Sequence, residues 1–171
     1  YTGRHKILTR YQSYHGASYG AMSASGDPRR LPMDTQQAPN FVHFDLPYLY
    51  RWEYGEENLL KETVASLEKI VAYEGPNNIA AILLEGESGS SGCFKYPVGY
   101  LKAVREICNR HGILLIIDEV MSGFGRTGKW FGFQNHDIIP DMIAMAKGLT
   151  CGYLPFGCLM VSDKIAAKFD D

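Results

Sequence analysis

The chain has 171 residues, the length of one ordinary domain, and is long enough to bury a core. Hydrophobic residues make up 46% and charged residues 21%, a composition typical of soluble globular proteins, and the formal net charge at pH 7 is −2. Lysines and arginines are interspersed with acids, so charge gives no reason to expect binding to nucleic acid or to an anionic membrane surface. No apolar run approaches the roughly 18 residues that a membrane span needs.

The four cysteines form no CxxC pair and have no histidine at ligand spacing; they are Cys93, Cys108, Cys151 and Cys158. They predict reduced, mostly buried thiols of a cytoplasmic protein and no metal site. The chain begins with neither a methionine nor a signal-peptide pattern and stops after an amphipathic stretch at residues 163–169. We therefore expect it to be a fragment of a longer protein.

Short apolar runs alternate with segments of helical periodicity along the chain. The expected elements, in chain order, are a strand at residues 5–11, an irregular excursion over about 18–55, a helix at 58–71, a strand at 79–84, a helix at 97–111, and strands at 113–117, 142–146 and 156–161. Asn58 is expected as the N-cap of the first helix, and Gly112 as the C′ residue that follows the second.

The strand runs are continuously apolar, which indicates burial on both faces of a sheet. Strands that alternate with helices predict the α/β class, with a mostly parallel sheet flanked by helices, and residues 1–171 are assigned to one domain. The link over residues 147–155 is too short for a crossover. The strand at 156–161 should therefore run antiparallel to the strand before it.

Chemically distinctive residues follow four of the predicted strands. Tyr14 and His15 come after the first strand, Glu85 after the second, Asp118 after the third and Lys147 after the fourth. In open α/β sheets, ligands bind beyond the carboxyl ends of the strands. These side chains are therefore the candidate site.

Asp118 and Lys147 allow two interpretations. One is a structural salt bridge between them, since buried charges are costly unless they are paired. The other is catalytic. A partly desolvated lysine has a lowered pKa and attacks a carbonyl to form an imine, a nearby carboxylate holds a pyridine nitrogen protonated, and the ring of Tyr14 stacks on the pyridine.

The order of these residues resembles that of one known family, the class III (omega-amino-acid) aminotransferases. The resemblance covers nearly the whole chain apart from the middle excursion. It is carried by SYHG at residues 13–16, AAILLE at 80–85, ILLIIDEV at 113–120, GFGRTGKW at 123–130, PDMI at 140–143 and AKGLT at 146–150.

The resemblance implies the partial large domain of a fold type I enzyme that uses pyridoxal 5′-phosphate. Lys147 would hold this cofactor as an aldimine and Asp118 would pair with its pyridine nitrogen. Tyr14 and Val120 would lie on opposite faces of the cofactor ring, Glu85 would lie close by, and His15 would position the site. The implied reaction is transamination from an amino donor to a 2-oxo acid, by an enzyme that is usually a homodimer.

Four features of the motifs are interpreted as structural. The glycines of residues 123–128 have the spacing of a dinucleotide-binding turn, but no helix-length apolar period follows them, so this function is rejected. Arg126 is expected to stabilise its loop through an ion pair rather than bind a substrate carboxylate. Glu119 neighbours Asp118 on a strand and should therefore face away from the cofactor. His15 is expected to position the site rather than act as a general base.

The chain departs from the family pattern at three positions. Met121 stands where several members have a glutamine that contacts the cofactor, Gly86 where proline is usual, and Ser90 where ornithine- and GABA-type members place a glutamate. The donor is therefore expected to be an omega-amino acid, taurine or a simple amine. The family's phosphate loop and small domain lie outside residues 1–171, so this chain by itself is expected to be inactive.

Two competing functions remain open. An aminomutase, racemase or decarboxylase on the same scaffold would share the aspartate, lysine and stacking positions. Alternatively, the chain is a non-catalytic structural piece of a larger protein. Product analysis with an amine donor and pyruvate or 2-oxoglutarate would separate the first alternative from a transaminase.

Overall fold

The computed structural model describes residues 1–169 as a six-stranded sheet with helices packed against it. The strands are β1 (Lys6–Arg10), β2 (Phe41–Phe44), β3 (Ile79–Glu85), β4 (Leu114–Asp118), β5 (Met142–Met145) and β6 (Cys158–Val161). The α-helices are α1 (Tyr19–Ala24), α2 (Glu56–Glu74), α3 (Tyr100–His111) and α4 (Asp163–Ala166). Five short 3₁₀ segments lie at Pro28–Gln36, Leu49–Arg51, Pro76–Asn78, Gly132–His136 and Lys147–Leu149.

The strand order is β2-β1-β3-β4-β5-β6. The pairs from β2 to β5 are parallel, whereas β5 and β6 are antiparallel. The α/β class and the reversed direction of the last strand are therefore confirmed. Since five parallel strands follow one another across the sheet, their carboxyl ends meet at a single edge.

The core lies between the sheet and the two long helices. Leu67 and Val71 of α2 and Val104 and Ile107 of α3 are buried in one core with side chains of β1, β3 and β4. The strand residues that are almost completely inaccessible include Leu8, Ile82, Leu84, Leu115 and Ile117. At roughly 25 cal/mol per Å² of apolar area removed from water, this burial is the main term that holds the helices on the sheet. It also makes the ends of β1, β3 and β4 a rigid base for the loops that follow them.

The helix boundaries differ in detail from the predictions. Helix α2 begins at Glu56 after Gly55, so Asn58 is not its N-cap, and the acidic side chains of Glu56 and Glu57 lie in its positively polarised first turn. Helix α3 begins at Tyr100, because Gly99 before it is in the left-handed conformation. Gly112 ends α3 with φ 60°, as the sequence predicts.

The excursion over residues 18–55 contains more regular structure than expected. It includes helix α1 and the edge strand β2, which pairs with β1 from Ile7 opposite Phe41 to Arg10 opposite Phe44. The four residues of β2 include a histidine and are mostly half-buried. Such a segment is too short to show a period of its own.

The prediction of mostly buried cysteines is wrong for three of the four thiols. Cys108 is buried in α3, and this burial raises its pKa to about 12. Cys93, Cys151 and Cys158 are exposed in this chain. Within residues 1–169, no helix is long and apolar enough to cross a membrane. The same residues contain no cluster of three or more potential metal-ligating side chains.

Candidate active site

Strand register brings the predicted site residues to one edge of the sheet. Glu85 at the end of β3 lies opposite Asp118 at the end of β4, and Asp118 in turn lies opposite Ala144 of β5. Residues directly opposite on paired strands project from the same face. The two carboxylates therefore share a face, and Lys147 follows three residues after Ala144.

Asp118 is held through both oxygens of its carboxylate. Oδ2 lies 2.8 Å from Nδ1 of His15, and Oδ1 accepts a hydrogen bond of 2.9 Å from the backbone amide of Val120. Both partner side chains of the Asp118–His15 pair are almost completely buried. Nε2 of His15 lies 3.4 Å from Oγ1 of Thr9. His15 thus fixes the orientation of Asp118, in agreement with a positioning role.

The alternative salt bridge between Asp118 and Lys147 is not formed within residues 1–169. Lys147 is exposed instead of partly desolvated, so the expected burial of its amine is not seen in this chain. Its backbone has φ 47°, a left-handed conformation that is uncommon outside glycine and clusters at functional sites. The chain therefore changes direction at Lys147 and does not continue along β5.

Gly148 lets the loop after β4 pack against the Lys147 turn. A Cβ atom at Gly148 would lie 2.9 Å from Cβ of Phe124, closer than real contacts allow. Phe124 belongs to the glycine-rich motif of residues 123–128, and its amide donates to the carbonyl of Trp130. The motif therefore supports the lysine turn, which is a role that its glycine spacing did not reveal.

Glu119 organises that same loop from the other side of β4. Its buried carboxylate accepts hydrogen bonds from Oγ of Ser122 at 2.6 Å and from the amides of Gly132 and Phe133 at 2.8 and 2.9 Å. The prediction that Glu119 has no part in the cofactor face agrees with these contacts. They also explain Gly86, where a Cβ would lie 2.5 Å from Oε1 of Glu119.

Glu85 is buried and forms an ion pair with Arg10, a residue that the sequence did not single out. Its Oε1 lies 3.4 Å from the backbone amide of Tyr14. Burial raises the pKa of the Glu85 carboxyl, and the charges of Arg10 and His15 oppose that rise. An arginine at the end of the strand that leads to Tyr14 and His15 was the signal that could have identified Arg10.

The ring of Tyr14 is half-buried, and one face of it is covered by a guanidinium. Cζ of Arg29 lies 3.8 Å from the ring centroid, the distance of a cation–π contact. Arg29 is held by Asp27 through hydrogen bonds of 2.7 and 3.0 Å. Arg29 lies in the middle excursion, where no motif marked it in advance.

A cavity of about 680 Å³ lies between the loop after β3, the start of α3 and the loop after β4. Met121 and Arg126 line it, whereas Tyr14, Asp118 and Lys147 do not. Arg126 forms no ion pair with any carboxylate of residues 1–169, so the expected loop-stabilising pair is wrong. Ser90 is exposed on the loop after β3.

Comparison with known proteins agrees with this arrangement. The family model of the class III aminotransferases matches residues 1–171. A taurine–pyruvate aminotransferase of Bilophila wadsworthia is 38% identical over 95% of this chain, and the uncharacterised aminotransferase YhxA of Bacillus subtilis is 40% identical over 95%. The crystal structure of a taurine:2-oxoglutarate aminotransferase from Bifidobacterium kashiwanohense, in complex with pyridoxal phosphate and glutamate, superposes with a TM-score of 0.96 and 46% identity over 99% of this chain.

The mostly parallel sheet with flanking helices places the chain in the α/β class, with the fold of these transaminase structures. The chain belongs to the class III aminotransferase family. It spans 36% of the length of the two curated relatives and 39% of the crystallised chain. The described residues therefore correspond to part of the large domain.

Proposed function

We propose that the full-length protein containing this chain is a pyridoxal-phosphate-dependent aminotransferase. The observation that carries the proposal is the arrangement of Asp118, which is buried, held at both oxygens and located at the same sheet edge as the exposed amine of Lys147. A carboxylate held in this way does not need Lys147 as a counter-ion. Both groups are therefore available for a ligand.

The residues present fit the cofactor that the family uses. Asp118 would accept a hydrogen bond from a protonated pyridine nitrogen, Tyr14 would supply an aromatic face, and Lys147 would supply the amine for covalent attachment. Val120 lies two residues after Asp118 and is the second residue proposed to contact the ring. When bound, pyridoxal phosphate supplies the electron sink that stabilises negative charge at the substrate carbon.

Three residues of the chain would have distinct roles in the reaction. Lys147, once displaced by the amino donor, would move a proton at the reacting carbon with its Nζ. His15 would keep Asp118 in one orientation. Glu85 would hold the amide of Tyr14 and thereby the position of the stacking ring, without a role in proton transfer.

The substrates proposed are an omega-amino acid, taurine or a simple amine as donor and a 2-oxo acid as acceptor. The support is the named activities of the relatives, which use taurine with pyruvate or 2-oxoglutarate, together with the serine at position 90.

The test is product analysis with the full-length protein, taurine or β-alanine, and pyruvate or 2-oxoglutarate. We expect alanine or glutamate to form, and the Lys147→Ala variant to lose turnover and covalent cofactor attachment measured by mass spectrometry after borohydride reduction. The matched control is Lys102→Ala, an exposed lysine on α3. Turnover by Lys147→Ala at the wild-type rate would contradict the proposal. Isomerised or decarboxylated products would favour the related enzymes on the same scaffold.

A further inference from the structure

Arg10 is the largest completely buried side chain of the protein's described residues, and it is charged. It lies at the carboxyl end of β1 and forms an ion pair with Glu85 at the end of β3. A buried guanidinium is costly to desolvate, and an apolar side chain of similar volume often stabilises a core as well or better. Stability alone therefore gives a weak reason for an arginine at this position.

The guanidinium joins the loops that carry the candidate site. Nη1 donates to the carbonyls of Tyr11 and Gln12 at 3.2 and 2.9 Å, and these residues begin the turn that leads to Tyr14 and His15. Nε donates to the hydroxyl of Tyr96 at 3.2 Å. Tyr96 in turn donates to the backbone carbonyl of Glu85 at 3.1 Å. One side chain thus fixes the end of β1, the end of β3 and the loop after β3.

The contacts of Arg10 extend through Glu85 to Tyr14, whose ring is proposed to stack on the cofactor. Arg10 binds Oε2 of Glu85, and Oε1 of the same carboxylate lies 3.4 Å from the amide of Tyr14. The next residue, His15, holds Asp118. Arg10 therefore has two routes to the turn that carries Tyr14 and His15: directly through the carbonyls of residues 11 and 12, and indirectly through Glu85.

The electrostatic role of Arg10 points the same way. Burial favours the neutral form of Glu85, and Arg10 is the strongest opposing influence. A protonated Glu85 would have one oxygen converted to a donor, which would weaken its contact with the Tyr14 amide. The rings of Phe94 and Tyr96 also contact the buried guanidinium of Arg10, with Cζ 5.1 Å from the Phe94 centroid.

We propose that Arg10 is a positioning residue for the cofactor. Through Glu85 and the carbonyls of Tyr11 and Gln12, it sets the orientation of the turn that carries Tyr14 and His15. Tyr14 is the residue proposed to stack on the cofactor ring, and His15 holds Asp118. This inference rests on the proposed aminotransferase function. It assigns Arg10 no contact with substrate or cofactor.

The experiment compares Arg10→Lys and Arg10→Met in the full-length protein with Arg4→Met as the matched control. Arg4 is a half-buried arginine that also donates to four backbone carbonyls, but at the amino ends of the strands. The measurements are the melting temperature without cofactor, the dissociation constant for pyridoxal phosphate, the induced circular dichroism of the bound cofactor, and kcat and KM.

We expect Arg10→Met to lower kcat/KM by about 100-fold, to weaken cofactor binding and to change the circular dichroism band, since a small displacement of positioning groups has effects of this size. Arg10→Lys keeps the charge beside Glu85 but loses the forked contacts with the two carbonyls, so we expect an intermediate loss of about tenfold. Arg4→Met should lower the melting temperature only.

The result that would overturn the inference is a wild-type cofactor affinity, circular dichroism band and kcat/KM in Arg10→Lys and Arg10→Met, with only the melting temperature lowered as in Arg4→Met. If Arg10→Met does not fold, Arg10→Lys decides by the same measurements. Failure of the proposed function is recognised separately, because the wild-type protein would then show neither covalent cofactor nor transamination products.

Discussion

Asp118 illustrates how one side chain acquires its properties from hydrogen bonds on both sides. The Val120 amide and the His15 ring each hold one carboxylate oxygen, so the side chain has a single orientation. Hydrogen bonds that fix a charged group before a ligand binds avoid reorganisation during the reaction. The proposed pairing of Asp118 with the cofactor's nitrogen requires its negative charge in addition to this orientation.

Asp118→Asn tests this charge directly. The amide oxygen of asparagine still accepts the Val120 hydrogen bond, so we expect the fold to be retained. The loss of charge should lower kcat in the full-length protein on the order of 1000-fold. Steady-state kinetics and a melting curve measure the two effects, and an unchanged kcat would contradict the assignment of Asp118 to the cofactor's nitrogen.

His43 of β2 makes the folded protein sensitive to acid. Burial lowers its pKa, an effect that Arg30 adds to and the hydrogen bond to the Ser25 carbonyl opposes. In the unfolded state its pKa is about 6.5. As the pH falls below that value, the unfolded state takes up the proton more readily, so the free energy of unfolding decreases towards the lower pKa of the folded state.

We therefore expect the melting temperature of the wild-type protein to fall between pH 7.5 and pH 5 by more than that of His43→Gln. The difference between the two decreases in melting temperature measures the contribution of His43 separately from that of the carboxylates that titrate in the same range. His5→Gln, which replaces an exposed histidine, is the control and should behave like the wild type. An equal fall in His43→Gln and wild type would contradict the prediction.

At the scale of elements, the loop between β4 and β5 depends on a buried carboxylate. Three hydrogen-bond donors from Ser122, Gly132 and Phe133 converge on Glu119. Through Phe124 the same loop packs on Gly148, next to Lys147. The loop thereby supports the turn that carries Lys147.

Glu119→Leu removes the acceptor and leaves the buried amide of Gly132 and the partly buried amide of Phe133 without a partner. Such groups each contribute a penalty, so we expect the free energy of unfolding to decrease by about 3 kcal/mol. Denaturant unfolding of the full-length protein measures this change. Glu106→Leu on the exposed face of α3 is the control, with an expected change within about 0.5 kcal/mol. A similar small change in Glu119→Leu would show that the loop does not depend on the carboxylate.

At the scale of the whole molecule, the far edge of the sheet is apolar and exposed. Tyr153, Leu154 and Phe156 precede β6, and Leu159 and Met160 lie on it. Contiguous exposed apolar groups of this kind mark surfaces that bind other protein. The matched relatives are more than twice as long as this chain. We therefore expect most of the protein surface that packs against this apolar edge to lie outside residues 1–171.

We propose that the full-length protein is a homodimer and that residues 1–171 alone do not sustain transamination. Light scattering should give twice the subunit mass for the full-length protein. The isolated chain should bind a hydrophobic dye and show no turnover, because the apolar edge is uncovered and the site lacks its remaining contacts. A monomeric full-length enzyme with normal kcat would contradict the dimer, and turnover by the isolated chain would contradict its incompleteness.

The positions of the long elements followed from local patterns. The apolar periodicity of α2 and α3 and the apolar runs of β3, β4 and β5 depend on neighbours in sequence, and were predicted to within a few residues. The antiparallel direction of β6 followed from the length of one link. Strand β2 was missed, because four residues at a sheet edge have no period and are defined by their pairing with β1.

The sequence by itself determined the family, the α/β class and the order of Tyr14, Glu85, Asp118 and Lys147, because these follow from local pattern and motif. Only the tertiary structure decided which charges pair. Arg10 meets Glu85 from 75 residues away and His15 meets Asp118 from 103 residues away, and both pairs arise because parallel strands bring their carboxyl ends together. Spacing along the chain left a salt bridge between Asp118 and Lys147 open as one of two interpretations, whereas the sheet placed His15 beside Asp118 and left Lys147 exposed.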